Sequence, residues 1–81
     1  MLDKLSEVKR LCEHYNVSLR NVAYVGDDIN DIELIKEVGF GCSVINGVQK
    51  VKDVARYITQ NKGGEGAVRE IIEVIICNMS R

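Results

Sequence analysis

One short stretch of the chain decides the fold: residues 22–31, with the sequence VAYVGDDIND. Its first part, residues 22–25, is a brief apolar run that ends at Gly26, which is the pattern of a buried strand. Three aspartates follow within five residues, and apolar residues then recur at helical spacing over residues 29–38. The stretch therefore predicts a strand, an acidic turn and a helix.

Outward from this stretch, helices and strands alternate along the chain. We expect helices at residues 3–14, 29–38 and 48–55 and after the glycines at 63, 64 and 66, with strands at residues 22–25, 40–45 and 56–59. This alternation predicts an α/β fold in one unit, residues 1–81: a short parallel sheet flanked by helices, as in a partial doubly wound, Rossmann-like three-layer domain. Because three strands make a thin sheet, the pattern indicates the second half of such a domain.

Composition and charge limit the functions that this chain can have. Its 81 residues carry 11 Lys plus Arg against 12 Asp plus Glu, a formal net charge of -1, which gives no reason to expect nucleic acid or a membrane as partner. No signal peptide or membrane span is recognisable, so we expect a cytoplasmic protein. Cys12, Cys42 and Cys77 are widely spaced and form no C-x-x-C pair, which predicts reduced, mostly buried thiols.

The acidic turn is the strongest chemical signal in the sequence. Ligands of open α/β sheets bind at the edge where the strands end, and Asp27, Asp28 and Asp31 are predicted to lie there. A helical first turn brings residues four apart, such as Asp27 and Asp31, to the same side. Converging carboxylate oxygens suit Mg²⁺. The sequence therefore predicts a Mg²⁺ site made by Asp27 and Asp31, with Asp28 as a further candidate ligand.

Other interpretations of the acidic turn are simple helix capping and two unrelated enzyme classes. Capping would need one acid, whereas three acids so close together repel one another unless a cation is near. The letters also fit the D-D-x-x-D pattern of terpenoid synthases, which are all-helical, and the G-D-x-x-N-D turn of P-type ATPases, which have membrane helices. The strand before the turn disfavours the former, and the absence of membrane helices disfavours the latter.

Four segments resemble the haloacid dehalogenase superfamily of aspartyl-phosphate enzymes, and within it the capless 3-deoxy-D-manno-octulosonate 8-phosphate phosphatases. They are Asp3-Lys4-Leu5, the acidic turn at residues 26–31, residues 46–59, and GGEGAVRE at residues 63–70. The phosphatase-like C-terminal module of some acylneuraminate cytidylyltransferases belongs to the same branch. The resemblance covers nearly the whole chain.

The resemblance implies a role for particular residues. Lys4 would be the catalytic lysine that neutralises the nucleophile and the phosphate, and Asp27, Asp31 and Asp28 would be the Mg²⁺ acids. A sugar phosphate would be the substrate, contacted by three residues of the later segments: Asn46, Gly64 and Arg69.

The nucleophile of this family is missing from the sequence. Family members carry D-x-D at the end of their first strand, and no D-x-D occurs here. We therefore expect the C-terminal part of a Mg²⁺-dependent sugar-phosphate phosphatase that is inactive alone and is completed by an N-terminal half. The alternative is a non-catalytic assembly or phosphosugar-binding module, related to that of the cytidylyltransferases. The resemblance also implies a homo-oligomer.

Overall fold

The fold is built around three parallel strands. In the computed structural model, which describes residues 4–79, these are β1 (Ala23–Gly26), β2 (Phe40–Ser43) and β3 (Tyr57–Ile58), in the spatial order β1-β2-β3. Val25 pairs with Cys42, and Cys42 pairs with Tyr57. Because all three strands run in the same direction, their carboxyl ends meet at one edge of the sheet. The predicted α/β class with a short parallel sheet is confirmed.

Helices occupy the segments between the strands. The described residues contain four α-helices: α1 (Lys4–Tyr15), α2 (Ile32–Glu37), α3 (Gln49–Val54) and α4 (Ala67–Met79). The predicted start of the first helix at Asp3 lies outside the described residues. The predicted helix at residues 29–38 begins instead as a 3₁₀ turn, Ile29–Asp31, because the Asp31 N–H donates to the Asp28 carbonyl, three residues back.

The core lies between α2 and the sheet. Leu34 and Ile35 of α2 are buried against β1 and β2, and Val51 of α3 is fully buried beside them. At Gly41 the helix approaches β2 so closely that a β-carbon would lie 2.2 Å from the carbonyl oxygen of Ile35. The sheet and α2 are therefore held in one fixed arrangement, which also fixes the acidic turn between them.

The cysteines are free thiols and mostly buried, as the sequence predicts. Cys12 and Cys42 are buried free thiols, and burial raises the pKa of Cys42 to about 11. Cys77 is also a free thiol, but it is exposed near the end of α4. In the part of the chain that the structure describes, no helix is long and apolar enough to cross a membrane.

One side of the molecule presents apolar surface beside an open strand edge. Among the described residues β1 pairs with β2 only, so its other edge has no strand partner. Next to β1, Val68 and Ile72 of α4 are 59% and 50% exposed, and a cavity of about 140 Å³ is lined by residues of both elements. We call the free edge of β1 together with Val68 and Ile72 the β1–α4 surface. Adjacent exposed apolar surface of this kind is a candidate interaction site.

Candidate functional site

A cavity of about 230 Å³ opens at the carboxyl edge of the sheet. Its lining includes Lys4 from α1, Asp27 and Asp31 from the acidic turn, and Gly63 and Gly64 from the loop before α4. These residues are far apart in the sequence, and the fold brings them to one place. The cavity therefore unites an ammonium group, carboxylates and a glycine backbone.

Asp31 is the centre of a hydrogen-bond network in this cavity. Its Oδ1 accepts from Lys4 Nζ at 2.6 Å and from the Tyr24 hydroxyl at 2.7 Å. Its Oδ2 accepts from the backbone N–H groups of Asp27 and Asp28 at 3.1 and 3.2 Å. A carboxylate offers about four lone-pair positions. Protein donors therefore surround both oxygens of Asp31 in this structure.

The same donors keep Asp31 ionised although its side chain is only 2% exposed. Burial by itself would raise the pKa of Asp31, but the hydrogen bonds from Lys4, Tyr24, Asp27 and Asp28 outweigh it, and the pKa is lowered. Asp31 is thus a fixed negative charge at the base of the acidic turn.

Lys4 and Tyr24 form the other side of this network. The Lys4 side chain is 53% exposed, and its hydrogen bond to Asp31 raises its pKa. Because an ammonium has three N–H donors, Lys4 keeps donors for an anion in the cavity. Burial and the bond to Asp31 raise the pKa of Tyr24, so its hydroxyl stays a donor. Sequence reasoning missed Tyr24, whose signal is a phenol within an otherwise aliphatic strand.

The remaining acids of the turn differ in what their oxygens do. Asp28 caps the turn, because its carboxylate accepts from the backbone N–H of Ile29, at 2.7 Å, and of Asp31. Asp27 is exposed, and among residues 4–79 its carboxylate has no hydrogen-bond or ion-pair partner. The Val48 N–H donates to the Asp27 carbonyl at 3.0 Å, which fixes its backbone. In this part of the chain no three His, Cys, Asp or Glu side chains form a ready metal site.

These contacts distinguish the three acids of the turn. Asp31 accepts from protein donors on both oxygens, and Asp28 serves as a helix cap. That Asp27, Asp31 and Asp28 hold Mg²⁺ stays a prediction. Asp27 is the acid of the turn whose oxygens are available.

Gly26 is required because the Asp31 side chain lies too close to its backbone to leave room for a β-carbon. A β-carbon at Gly26 would lie 2.6 Å from the Asp31 β-carbon and 2.8 Å from Asp31 Oδ2. Its φ is not positive, unlike those of Gly64 and Gly66. The missing side chain is what lets Asp31 fold back under the end of β1.

We expect Gly26→Ala to lower the free energy of unfolding by about 2 kcal/mol, because the added methyl group overpacks against Asp31. Urea denaturation of the variant and the wild type measures this difference. The matched control is Gly63→Ala, whose β-carbon would meet Val44 at an ordinary 3.5 Å. Equal destabilisation by the two substitutions would contradict the close-approach explanation.

The predicted substrate contacts are only partly brought to the cavity. Gly64 lines it, with a φ of +83° that favours glycine. Asn46 does not line it, and its Oδ1 accepts from the Gly63 N–H at 3.1 Å, so it anchors the glycine loop. The Arg69 side chain is 86% exposed on α4 and pairs with Glu73 at 3.2 Å, outside the cavity lining.

Comparison with known proteins gives a consistent family. Residues 1–72 match the family model of the haloacid dehalogenase-like hydrolases. The chain is 36% identical over 77 residues to a phosphoglycolate phosphatase of Methanosarcina acetivorans, a match that covers 95% of this chain and 34% of that protein. It is 35% identical over 74 residues to the 3-deoxy-D-manno-octulosonate 8-phosphate phosphatase KdsC of Escherichia coli strain K12, over 91% of this chain and 39% of that protein.

A solved structure shares the fold. The 3-deoxy-D-manno-octulosonate 8-phosphate phosphatase from Moraxella catarrhalis, in complex with magnesium ion, phosphate ion and KDO, aligns with a TM-score of 0.88 and 43% identity. The alignment covers 91% of this chain and 42% of that one. The chain thus spans less than half the length of the relatives it matches. The resemblance carried by the four sequence segments is confirmed, and the chain belongs to the haloacid dehalogenase-like hydrolases.

Proposed function

We propose that this chain supplies the lysine and the metal-binding acid of a Mg²⁺-dependent phosphatase site that hydrolyses a sugar phosphomonoester. The observation that carries the proposal is the cavity at the sheet edge, where the Lys4 ammonium, the free Asp27 carboxylate and the backbone of Gly63 and Gly64 meet. A phosphate group with a divalent cation is the ligand that such a set of groups fits.

Asp27 fits the part of the Mg²⁺ ligand. Its carboxylate is exposed at the cavity and has no partner among the described residues, and hard oxygen ligands are those that Mg²⁺ prefers. The oxygens of Asp31 already accept from Lys4, Tyr24 and the backbone of the turn, so we propose Asp27 as the main ligand, with Asp31 beside it. When bound, Mg²⁺ would supply Lewis-acid stabilisation of charge on the phosphoryl oxygens.

Lys4 acts on the phosphate by electrostatics. Asp31 holds its ammonium at 2.6 Å from one side, and Tyr24 holds Asp31 in turn. An ammonium fixed in this way costs no reorganisation as negative charge develops in the transition state. The fixed orientation, rather than the mere presence of a cation, is what we propose for catalysis.

The attacking group must come from elsewhere, because metal and lysine stabilise charge but form no bond to phosphorus. The sequence has no D-x-D, and the chain matches at most 42% of the length of the relatives described above. We propose that the chain alone is inactive and that a complementing N-terminal half covers the β1–α4 surface. A strand added parallel to β1 would end at the same edge as Asp27, which places its final carboxylate at the cavity.

The substrate class rests on the relatives. The structure with 43% identity is that of a 3-deoxy-D-manno-octulosonate 8-phosphate phosphatase bound to phosphate and KDO, whereas the match to the phosphoglycolate phosphatase is 36% identical. Both relatives act on phosphate monoesters by their names. We propose the sugar phosphate as substrate.

A Mg²⁺ titration of the 81-residue chain, followed by the NMR signals of its backbone amides, tests the metal part of the proposal. We expect shifts at residues 26–31 at millimolar Mg²⁺, and none in Asp27→Asn. Asp28→Asn is the matched control, because asparagine caps helices as well as aspartate does, so its shifts should persist. Spectra that do not respond to Mg²⁺, or that respond equally in Asp27→Asn, would contradict the assignment of Asp27.

The β1–α4 surface also favours a second candidate: a non-catalytic assembly or phosphosugar-binding module, like that of the acylneuraminate cytidylyltransferases. In this case a second copy would cover Val68 and Ile72. Sedimentation velocity distinguishes the two candidates. A stable homo-oligomer that Ile72→Asp dissociates would favour the module, whereas a chain that forms no defined homo-oligomer but binds an added N-terminal half would favour the phosphatase.

A further inference from the structure

The loop between β3 and α4 is held by a carboxylate from the helix that follows it. Glu70, in the first turn of α4, accepts from the backbone N–H groups of Gln60 and Asn61, each at 2.9 Å. The Asn61 side-chain amide donates to Glu70 Oε1 at 2.9 Å, and the Tyr57 hydroxyl donates to Oε2. One side chain therefore joins the end of β3, the loop and α4.

The charge of Glu70 makes this junction strong. The hydrogen bonds from Tyr57, Gln60 and Asn61 outweigh the effect of burial and lower the pKa of Glu70 to about 2. Glu70 is therefore a carboxylate at neutral pH, and hydrogen bonds to an ionised acceptor are stronger than those between neutral groups.

The far end of the same loop reaches the cavity. The Thr59 hydroxyl donates to the Asn61 carbonyl at 2.5 Å, which closes the turn after β3. Two residues later, the Gly63 N–H donates to Asn46 Oδ1 at 3.1 Å. Gly63 and Gly64 then line the cavity that holds Lys4 and Asp27. We call Gly63 and Gly64 the glycine wall of the cavity. Glu70 holds the loop before this wall, and Asn46 binds the wall itself through the Gly63 N–H.

We propose that Glu70 is a positioning residue: by binding Gln60 and Asn61 it places the backbone of Gly63 and Gly64 at the cavity. The anion that this wall faces, a phosphate ester, rests on the proposed function. Glutamine cannot replace Glu70, because its amide has one acceptor oxygen where donors surround both oxygens. Glu70 itself is not among the residues that line the cavity.

The test compares Glu70→Gln with Glu73→Gln. Glu73 lies on the same helix and pairs with Arg69 at 3.2 Å. Amide hydrogen exchange is measured by NMR on the 81-residue chain. We expect Glu70→Gln to speed exchange at Gln60 and Asn61 at least tenfold and to shift the Gly63 and Gly64 signals, with β1 and β2 unchanged. The Glu73→Gln spectrum should match the wild type at all these positions.

A titration with inorganic phosphate adds the functional readout. Where phosphate shifts the Gly63 and Gly64 signals of the wild type, we expect Glu70→Gln to weaken that response about fivefold or more. A wild type that shows no phosphate response would count against the proposed function, while the exchange pattern alone decides the role of Glu70.

Two results would overturn the proposal. One is a Glu70→Gln spectrum in which Gln60, Asn61, Gly63 and Gly64 behave as in the wild type. The other is a uniform rise in exchange that includes β1, which would make Glu70 a general stability residue. If Glu70→Gln does not fold, Tyr57→Phe is measured instead, because it removes one donor to Glu70. We then expect faster exchange at the same amides, Gln60 and Asn61, but by a smaller factor.

Discussion

Replacing Asp31 by alanine is expected to remove about 3 kcal/mol of the free energy of unfolding. The Asp31 side chain is 2% exposed, and its loss leaves the Tyr24 hydroxyl and the N–H groups of Asp27 and Asp28 without an acceptor. Lys4 adds less to the loss, because its side chain is 53% exposed and water screens the pair. Domains of this size unfold with about 4–12 kcal/mol in total, so a substantial share of the stability depends on one carboxylate.

Urea denaturation of Asp31→Ala measures this loss, and Asp27→Ala is its matched control. Asp27 is an exposed aspartate in the same turn, and its replacement should change the free energy of unfolding by less than about 0.5 kcal/mol. Asp31→Asn should fall between the two, since an amide keeps one acceptor oxygen and places a donor where other donors point. Equal stability of Asp31→Ala and Asp27→Ala would show that the network does not hold the turn.

The fold could be predicted because its signals are local. The apolar run before Gly26 and the helical spacing after it identify β1 and α2, and the alternation of elements identifies the parallel sheet. The predicted ends of the strands were less accurate, since a strand ends where its hydrogen bonds to the neighbouring strand end. The predicted strand at residues 56–59 is only Tyr57–Ile58 in the structure, because only Cys42 and Ser43 of β2 pair with it.

The roles of the acids could not be predicted from the pattern alone. Asp27, Asp28 and Asp31 are the same residue type. They differ only in the hydrogen bonds that their carboxylates accept from the folded backbone and from distant side chains. Lys4, which holds one oxygen of Asp31, lies 27 residues away in the sequence. The role of Tyr24 was missed for a different reason: a tyrosine in a buried strand predicts packing in the core and gives no sign of a hydrogen bond to Asp31.

Phosphatase activity is expected only after the chain is completed. We expect the chain to release no phosphate from 3-deoxy-D-manno-octulosonate 8-phosphate by itself. Mixed with the separately produced part of the Moraxella catarrhalis phosphatase that it does not match, it should release phosphate at least about 10³-fold faster than the background rate without protein. The physical reason is that, in the proposed site, the added piece would supply the attacking carboxylate and this chain would supply Lys4 and Asp27.

The same assay distinguishes the role of Lys4 in catalysis from the role of the β1–α4 surface in association. Lys4→Met should lower kcat of the reconstituted enzyme about 10²-fold to 10³-fold, because a fixed positive charge at the transition state is lost. Lys9→Met, on the same helix and exposed, should leave kcat unchanged. Ile72→Asp should prevent association, since a charge on the β1–α4 surface would be buried there. Full activity of Lys4→Met would contradict its catalytic role.

The most direct test of the whole account is Mg²⁺-dependent phosphate release by this reconstituted complex, with the wild-type chain and with Asp27→Asn. The account predicts release that needs added Mg²⁺, stops with a chelator and is lost in Asp27→Asn, although Asp27→Asn still associates. A complex that forms but releases no phosphate, or one in which Asp27→Asn works as well as the wild type, would contradict it.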